Sequence, residues 1–185
     1  MFAIRDETFA DIAARERLLD SCFGEARFEK TCERLREGRL PADGLSLVLD
    51  HDGRVAGTVR LWHVLAGPNR PAQVLGPLAI DPALQGLGLG AKLTHHALAR
   101  AARLGHGAVL LVGDAPYYGR FGFSADCTRR LRLPGPYERE RFLGVALAPG
   151  ALAGAAGLVT PIGVRAAEPH CPEAEGSMAA LARAA

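Results

Sequence analysis

The residues best placed by type and spacing to do chemistry are Gln85, Gly86, Leu87, Gly88, Leu89 and Gly90. An apolar run over residues 74–80 and the turn Asp81-Pro82 come before them. Ala91, Lys92 and a run of helix formers to Leu104 follow. That order reads strand, glycine loop, helix. Glycine lets a backbone approach a ligand closely and take dihedrals that a side chain forbids. The first turn of a helix carries unpaired N–H groups and a partial positive charge. Together these make a site for a phosphate group.

Several phosphate patterns compete for the loop. A Walker loop needs lysine and a hydroxyl directly after its last glycine. Here Ala91 intervenes before Lys92, and Leu93 stands where the hydroxyl would be. The dinucleotide pattern is met only with Ala91 in its sixth place when counted from Gly86, and it fails from Gly88, where that place is Leu93. The loop also lies mid-chain, whereas a dinucleotide loop usually opens its domain. A plain chain-reversing turn is the remaining reading of the loop alone.

A further pattern fits better. Gln85, Gly88 and Gly90 form Gln-x-x-Gly-x-Gly between strand and helix, and one strand later Tyr118, Gly122 and Phe123 form Tyr-x-x-x-Gly-Phe. The pair resembles the GNAT superfamily of N-acetyltransferases, and the wording from Gly113 to Phe123 is most like its YhbS-like bacterial branch. The resemblance covers residues 2–150. It implies a GNAT fold of α/β (α+β) class: a mixed, mostly antiparallel twisted sheet of about six or seven strands flanked by helices. A central strand–loop–helix–strand unit would hold CoA. It further implies acetyl transfer from acetyl-CoA to an amine, by direct attack in a ternary complex, with no metal.

On that resemblance, Leu78, Ala79 and Ile80 would make main-chain contacts to the cosubstrate. Pro77 interrupts the same strand, since proline cannot donate to a ladder. The amides of Leu87, Gly88, Leu89, Gly90 and Ala91, with Gly86, would hold the pyrophosphate, and Gln85 would cap the turn or bind a phosphate oxygen. The backbone N–H of Leu78 would polarise the thioester carbonyl. Tyr118 would protonate the departing thiolate, because a phenol with a pKa of about 10 stays protonated at neutral pH. Asp114, after a buried strand, would fix cosubstrate or substrate.

The amine must also lose a proton, and here the sequence departs from many GNAT members. Residues 74–80 contain no acid or base. His63 is the nearest base on a strand, with a relay through water as the alternative. His95 and His96 are adjacent on a helix and cannot share a face. The acceptor is an unidentified small-molecule or protein amine. Homodimers are common in the superfamily. A non-catalytic acyl-CoA-binding regulatory module on the same fold is the competing reading.

The elements that position these groups are legible in outline. Of 185 residues, 49% are apolar and 23% charged, an ordinary balance for one globular domain. A net charge of +2 argues against nucleic acid and anionic membrane as partners. No apolar run reaches the roughly 18 residues of a membrane span, and acidic residues near the N-terminus do not suit a signal peptide, so a cytoplasmic protein is expected. Cys22, Cys32, Cys127 and Cys171 show no metal spacing and read as free thiols.

Apolar spacing predicts a helix over residues 8–22, capped by Thr8, and another over 28–38 with Phe28, Cys32 and Leu35 on one side. Asp52-Gly53 predicts a hairpin between runs at 45–50 and 55–65, and a third strand follows at 72–80. A face of Val55, Gly57, Val59, Leu61 and His63 should oppose one of Thr58, Arg60 and Trp62. The helix over 88–104 buries Leu89, Leu93, Ala97, Leu98, Ala101, Ala102 and Leu104. A buried strand at 108–113 then continues a right-handed crossover. Residues 131–133 and 142–147 read as strands. The acetyltransferase domain is assigned to residues 1–150. Residues 151–185 form an Ala/Gly/Pro-rich extension, with an edge strand at 158–162, a linker at 166–171 and a short helix at 178–184.

Overall fold

The computed structural model describes residues 1–166. Cys171, the helix expected at 178–184 and nearly all of the linker expected at 166–171 lie outside the described residues. One sheet dominates. Its strands are β1 (Phe2–Asp6), β2 (Ser46–His51), β3 (Arg54–Ala66), β4 (Pro71–Ile80), β5 (Ala108–Val112), β6 (Leu131–Arg132), β7 (Phe142–Ala146) and β8 (Gly157–Pro161). The spatial order is β1-β2-β3-β4-β5-β7, with β8 and β6 attached through β3. That makes eight strands, the two-residue β6 taking the sheet past the expected number.

Strands β1 to β4 form an antiparallel meander. Asp52 (φ 50°) and Gly53 (φ 81°) turn the β2–β3 hairpin with the positive dihedrals of a type I′ turn. β3 is 13 residues long and serves two partners along one edge. Its first half pairs with β2 as far as Arg60, and its last residues, Val64 to Ala66, pair with β8. The expected alternation holds along β3 from Gly57 on, but a bulge at Ala56 turns Val55 to the opposite face, against Leu18, Leu19 and Ala79. Val59 and Leu61 join a core cluster on one face, while Trp62 and Val64 join a second cluster on the other.

Helix α2 (Leu89–Arg103) covers the first face. It buries Leu89, Leu93, Thr94, Ala97, Leu98 and Ala101. Ala102 and Leu104 are exposed instead of buried. Ala102 lies one residue round from the buried stripe. Leu104 is already the cap, where the His106 N–H closes onto the Ala101 carbonyl at 3.0 Å. Leu93 is wholly buried, so Leu93→Ala would cost about 2–5 kcal/mol.

Helix α1 (Ile12–Phe23) covers the other face through Leu18 and Leu19, which pack on Ala79. The helix expected over 28–38 does not form. Lys30 is extended (φ −65°, ψ 138°) and separates two 3-10 turns, Glu25–Glu29 and Thr31–Leu35. Tertiary ties override the helical pattern. Thr31 Oγ1 donates to the Pro136 carbonyl, and Arg34 Nη1 donates to that of Pro134 at 2.8 Å. Leu35 is buried, but Phe28 is 57% exposed with the Arg27 guanidinium over its ring. Among the described residues no helix is long and apolar enough to cross a membrane.

Candidate active site

The sheet opens in its middle. β4 and β5 run parallel but pair only at Gln73–Val109 and Val74–Leu110. Beyond those positions β4 continues for six residues with no strand on its β5 side among the described residues. The opening begins at a bulge. Leu75 faces Leu61 and Leu78 faces Val59, so Gly76 and Pro77 crowd opposite Arg60 alone. The Gly76 carbonyl accepts a 2.6 Å hydrogen bond from Trp62 Nε1.

Register decides which way the backbone of this open segment points. The Asp81 N–H donates to the Ala56 carbonyl at 2.9 Å, so that pair is hydrogen-bonded. Antiparallel pairs alternate. Ala79 therefore exchanges bonds with Thr58, while Leu78 and Ile80 turn their N–H and C=O groups away from β3, into the gap. The Ile80 carbonyl accepts Gln85 Nε2 at 3.2 Å and lies 3.4 Å from Cys22 Sγ. Of the three residues singled out in the sequence, Leu78 and Ile80 offer main-chain groups to the gap and Ala79 does not.

The glycine loop stands at the same end of β4. Asp81 caps a 3-10 turn, Pro82–Leu84, by accepting from Ala83 N at 2.9 Å. The Gln85 side chain caps the end of β4 as just described. Gly88 holds a left-handed conformation (φ 73°) as the N-cap of α2, which glycine adopts without strain. The first helical bond runs from Lys92 N to Gly88 O, leaving the amides of Leu89, Gly90 and Ala91 without a helical partner. Gly86 to Gly88 are exposed.

Tyr118 lies on α3 (Ala115–Gly119). Asp114 is the N-cap of this helix, accepting from Tyr117 N at 3.0 Å, and its side chain is exposed. The Tyr118 ring lies directly against Gly113, where an added Cβ would sit 2.3 Å from Cε2. Burial, with Tyr117 beside it, pushes the Tyr118 phenol up to about 12. Its hydroxyl makes no hydrogen bond to protein among the described residues. Tyr117 turns the other way, and a Cβ on Gly90 would lie 3.0 Å from its hydroxyl. So α3 touches the first turn of α2 with one tyrosine and the gap with the next.

A cavity of about 620 Å³ runs through the gap and joins the two sheet faces. Leu78, Leu111 and Tyr118 line it on the α2 side. Trp62, Arg60, Arg36, Cys32 and Tyr137 line it on the other, with Glu16 and Phe23 of α1 above. Most of its carboxylates are tied to guanidinium groups. Glu33 meets Arg36, Glu138 meets Arg141, and Glu16 meets Arg27 and Arg15. Burial opposes ionisation of Glu16, but hydrogen bonds from Arg27 and Arg15 outweigh it and hold the carboxyl low. Burial raises the Cys32 thiol, so it is no ready nucleophile. Arg60 is held by Glu7, which also receives Arg15 and is itself raised chiefly by burial.

His63 does not line this cavity. It faces Gln73 four residues along β3 from Val59, roughly 13 Å away in strand rise. There its Nδ1 meets Gln73 Nε2 at 3.0 Å, beside His106. Sequence reasoning missed Arg36, Arg60, Trp62 and Glu16 as cavity residues. Trp62 was assigned to its correct face, which was the one available signal; the others are brought together only by tertiary packing.

Comparison with known proteins agrees with this architecture. The profile of the acetyltransferase (GNAT) family matches residues 12–123. The chain is 32% identical over 157 residues to YhbS of Escherichia coli K12, described as an uncharacterized N-acetyltransferase, covering 84% of this chain and 93% of that protein. The crystal structure of E. coli YhbS in complex with CoA superposes with a TM-score of 0.74 at 33% identity, over 87% of this chain and 89% of that one. A GNAT family acetyltransferase from Brucella melitensis in complex with acetyl-CoA gives a TM-score of 0.62 at 29% identity, over 80% and 90%. The split sheet, the glycine loop and the tyrosine helix are thus those of a chain that belongs to the GNAT acetyltransferase family.

Proposed function

We propose that this protein moves an acetyl group from acetyl-CoA to a primary amine of a small molecule or protein, by direct attack within a ternary complex. The observation that carries this reading is the open segment of β4, where Leu78 turns its N–H and C=O, and Ile80 its N–H, into a gap flanked by Tyr118. An extended arm bearing amides, such as pantetheine, can pair with such a segment as an added strand would. The free amides of Leu89, Gly90 and Ala91, with Leu87 and Gly88 before them, suit a pyrophosphate. The CoA and acetyl-CoA in the E. coli and Brucella relatives support the same cosubstrate. Asp114 caps α3 through Tyr117 N and lines the cavity beside Tyr118, where it helps fix the cosubstrate or substrate.

In the reaction the amine nitrogen bonds the carbonyl carbon, the carbon–sulfur bond breaks, and one amine proton ends on sulfur. The Leu78 N–H is the donor for the developing oxyanion, a contribution of roughly 3 kcal/mol in other enzymes. Tyr118 meets the departing sulfur as a neutral donor. With its pKa near 12, full transfer of its proton to a thiolate of pKa about 8.5 runs uphill. Tyr118 therefore gives its proton only as it takes one from the amine. Carboxylates held by arginines are weak bases, so the amine enters neutral or loses its proton through water. Acetyl-CoA is kept inside cells, which puts the protein in the cytoplasm with its thiols reduced.

The test is calorimetry with acetyl-CoA, followed by release of the CoA thiol with a panel of amines. Binding with amine-dependent release is expected. Binding without release from any amine would leave an acyl-CoA-binding module, and tighter binding of ATP or NAD than of CoA would remove the reading altogether.

A further inference from the structure

Building on the acetyl-transfer reading, we propose that the acceptor amine carries a carboxylate and that Arg36 binds it. The cavity on the Trp62 side of the sheet holds several arginines, and all but one are spoken for or stand at the rim. Arg60 gives Nε and Nη2 to Glu7. Arg27 gives Nε to Asp20 and Nη2 to Glu16. Arg141 is half exposed. Arg36 differs. Its side chain is only 10% exposed, and it uses Nε alone, on Glu33 Oε2 at 2.6 Å. Neither Nη1 nor Nη2 makes a hydrogen bond among the described residues.

Nη1 stands at the bulge of β4. A Cβ built on Gly76 would lie 3.6 Å from Arg36 Nη1. Gly76 is two residues before Leu78, whose N–H faces the gap. The Gly76 carbonyl, the nearest backbone acceptor, already receives Trp62 Nε1. The side chain is nearly covered, its terminal pair is left to the cavity, and among the described residues the protein supplies that pair with no acceptor. The outer edge of a guanidinium presents two parallel N–H bonds, which match the two oxygens of a carboxylate. Glu33 fixes the side chain through its other edge and already balances one charge. A dianionic phosphate would overload a single arginine so placed, whereas a carboxylate whose own molecule carries an amine would not. The indole of Trp62 lies beside this position and offers the stem of such a molecule an apolar wall. The acceptor class is therefore an amino acid or a similar amino-carboxylate.

The first experiment measures binding, not turnover. The protein saturated with CoA is titrated with N-acetylglycine, N-acetylalanine, N-acetyl-β-alanine and N-acetylglutamate, each paired with its uncharged methyl amide (for N-acetylglutamate the bis-methylamide). At least one acid should bind roughly 10- to 100-fold more tightly than its amide. Arg36→Gln should erase that gap while CoA affinity stays within about twofold of wild type. Arg36→Lys, which keeps the charge without the fork, should restore only part of it. No preference for the acid anywhere in the panel, weak or absent binding included, overturns the proposal, as does a preference that survives Arg36→Gln.

The second experiment compares thiol release with amino acids and with their decarboxylated counterparts. Arg36→Gln should raise KM for the amino acid and leave kcat nearly unchanged. Decarboxylated amines that serve equally well, or O-phosphoethanolamine preferred over β-alanine, would remove the carboxylate assignment and leave acetyl transfer standing. Tight binding of an acid with no release from any amine would remove acetyl transfer and leave Arg36 as a carboxylate site.

Discussion

Tyr118 has to be judged by its surroundings as much as by its identity. Its ring packs on Gly113 and its phenol is pushed up to about 12, burial being the larger cause and Tyr117 the smaller. A raised pKa keeps the donor protonated to higher pH. Across the range from about pH 6 to about pH 10.5, kcat should show no falling limb from this residue, whereas a phenol near its ordinary value of about 10 would produce one. Any rising limb near or above neutral pH should follow the pKa of the acceptor amine, because Glu16 is held low by Arg27 and Arg15. Tyr118→Phe should lower kcat by roughly 100-fold and leave KM for acetyl-CoA within a few-fold of wild type. Steady-state rates over that pH range check both points. A wild-type limb below pH 10 that disappears in Tyr118→Phe would contradict the buried, neutral phenol. The residue was legible because its motif is local. Its pKa was not, since that depends on what covers it.

At the level of elements, the start of α1 is tied down by one carboxylate. Asp11 accepts from Thr8 N and Thr8 Oγ1, both at 2.8 Å, and from Arg5 Nη1 and Nη2 at 2.7 and 2.9 Å. This links the helix that roofs the cavity to β1. Hydrogen bonds from Arg5, opposed by burial and helped by Thr8, hold the Asp11 carboxyl well below the usual carboxylate range. A lowered pKa stabilises the fold above the unfolded value of about 3.9, and the contribution is lost as pH falls below it. Asp11→Asn should therefore cost about 1.5–3 kcal/mol at neutral pH. Denaturant titrations of the two proteins should converge as the pH is lowered below about 4. A constant difference down to pH 2.5 would show that the charge is not what matters.

Elements marked by glycine, proline or strict alternation were readable in advance. The Asp52-Gly53 hairpin, the loop at Gly86 to Gly90 and the break at Pro77 are examples. The segment over 28–38 was not, because its helical spacing yields to the ties from Thr31 and Arg34 to the 134–136 loop, about 100 residues away. The cavity arginines were hidden for the same reason. Nothing near Arg36 in sequence announces Gly76 or Trp62 as its neighbour.

For the whole molecule, the weak place is the seam between β4 and β5. Two paired positions join the β1–β4 meander to β5 and β7, and the backbone of β4 past Val74 is bonded on one side only. A ligand that pairs with the open side replaces part of the missing ladder and stabilises the native state by mass action. At 100 times its dissociation constant the gain is about 2.7 kcal/mol, which for a chain of this size raises Tm by roughly 5–10 °C. Acetyl-CoA should do this and NAD should not, as a thermal melt would show. Amide exchange gives the sharper measurement, because register assigns alternate roles along the strand. The N–H groups of Leu78 and Ile80 face the gap, and that of Ala79 is already bonded to Thr58. Added CoA should slow exchange at Leu78 and Ile80 by more than at Ala79. Equal slowing at all three would report only global stabilisation. No slowing at Leu78 and Ile80 would mean that the cosubstrate lies elsewhere, and with it the assignment of the Leu78 N–H to the oxyanion would fall.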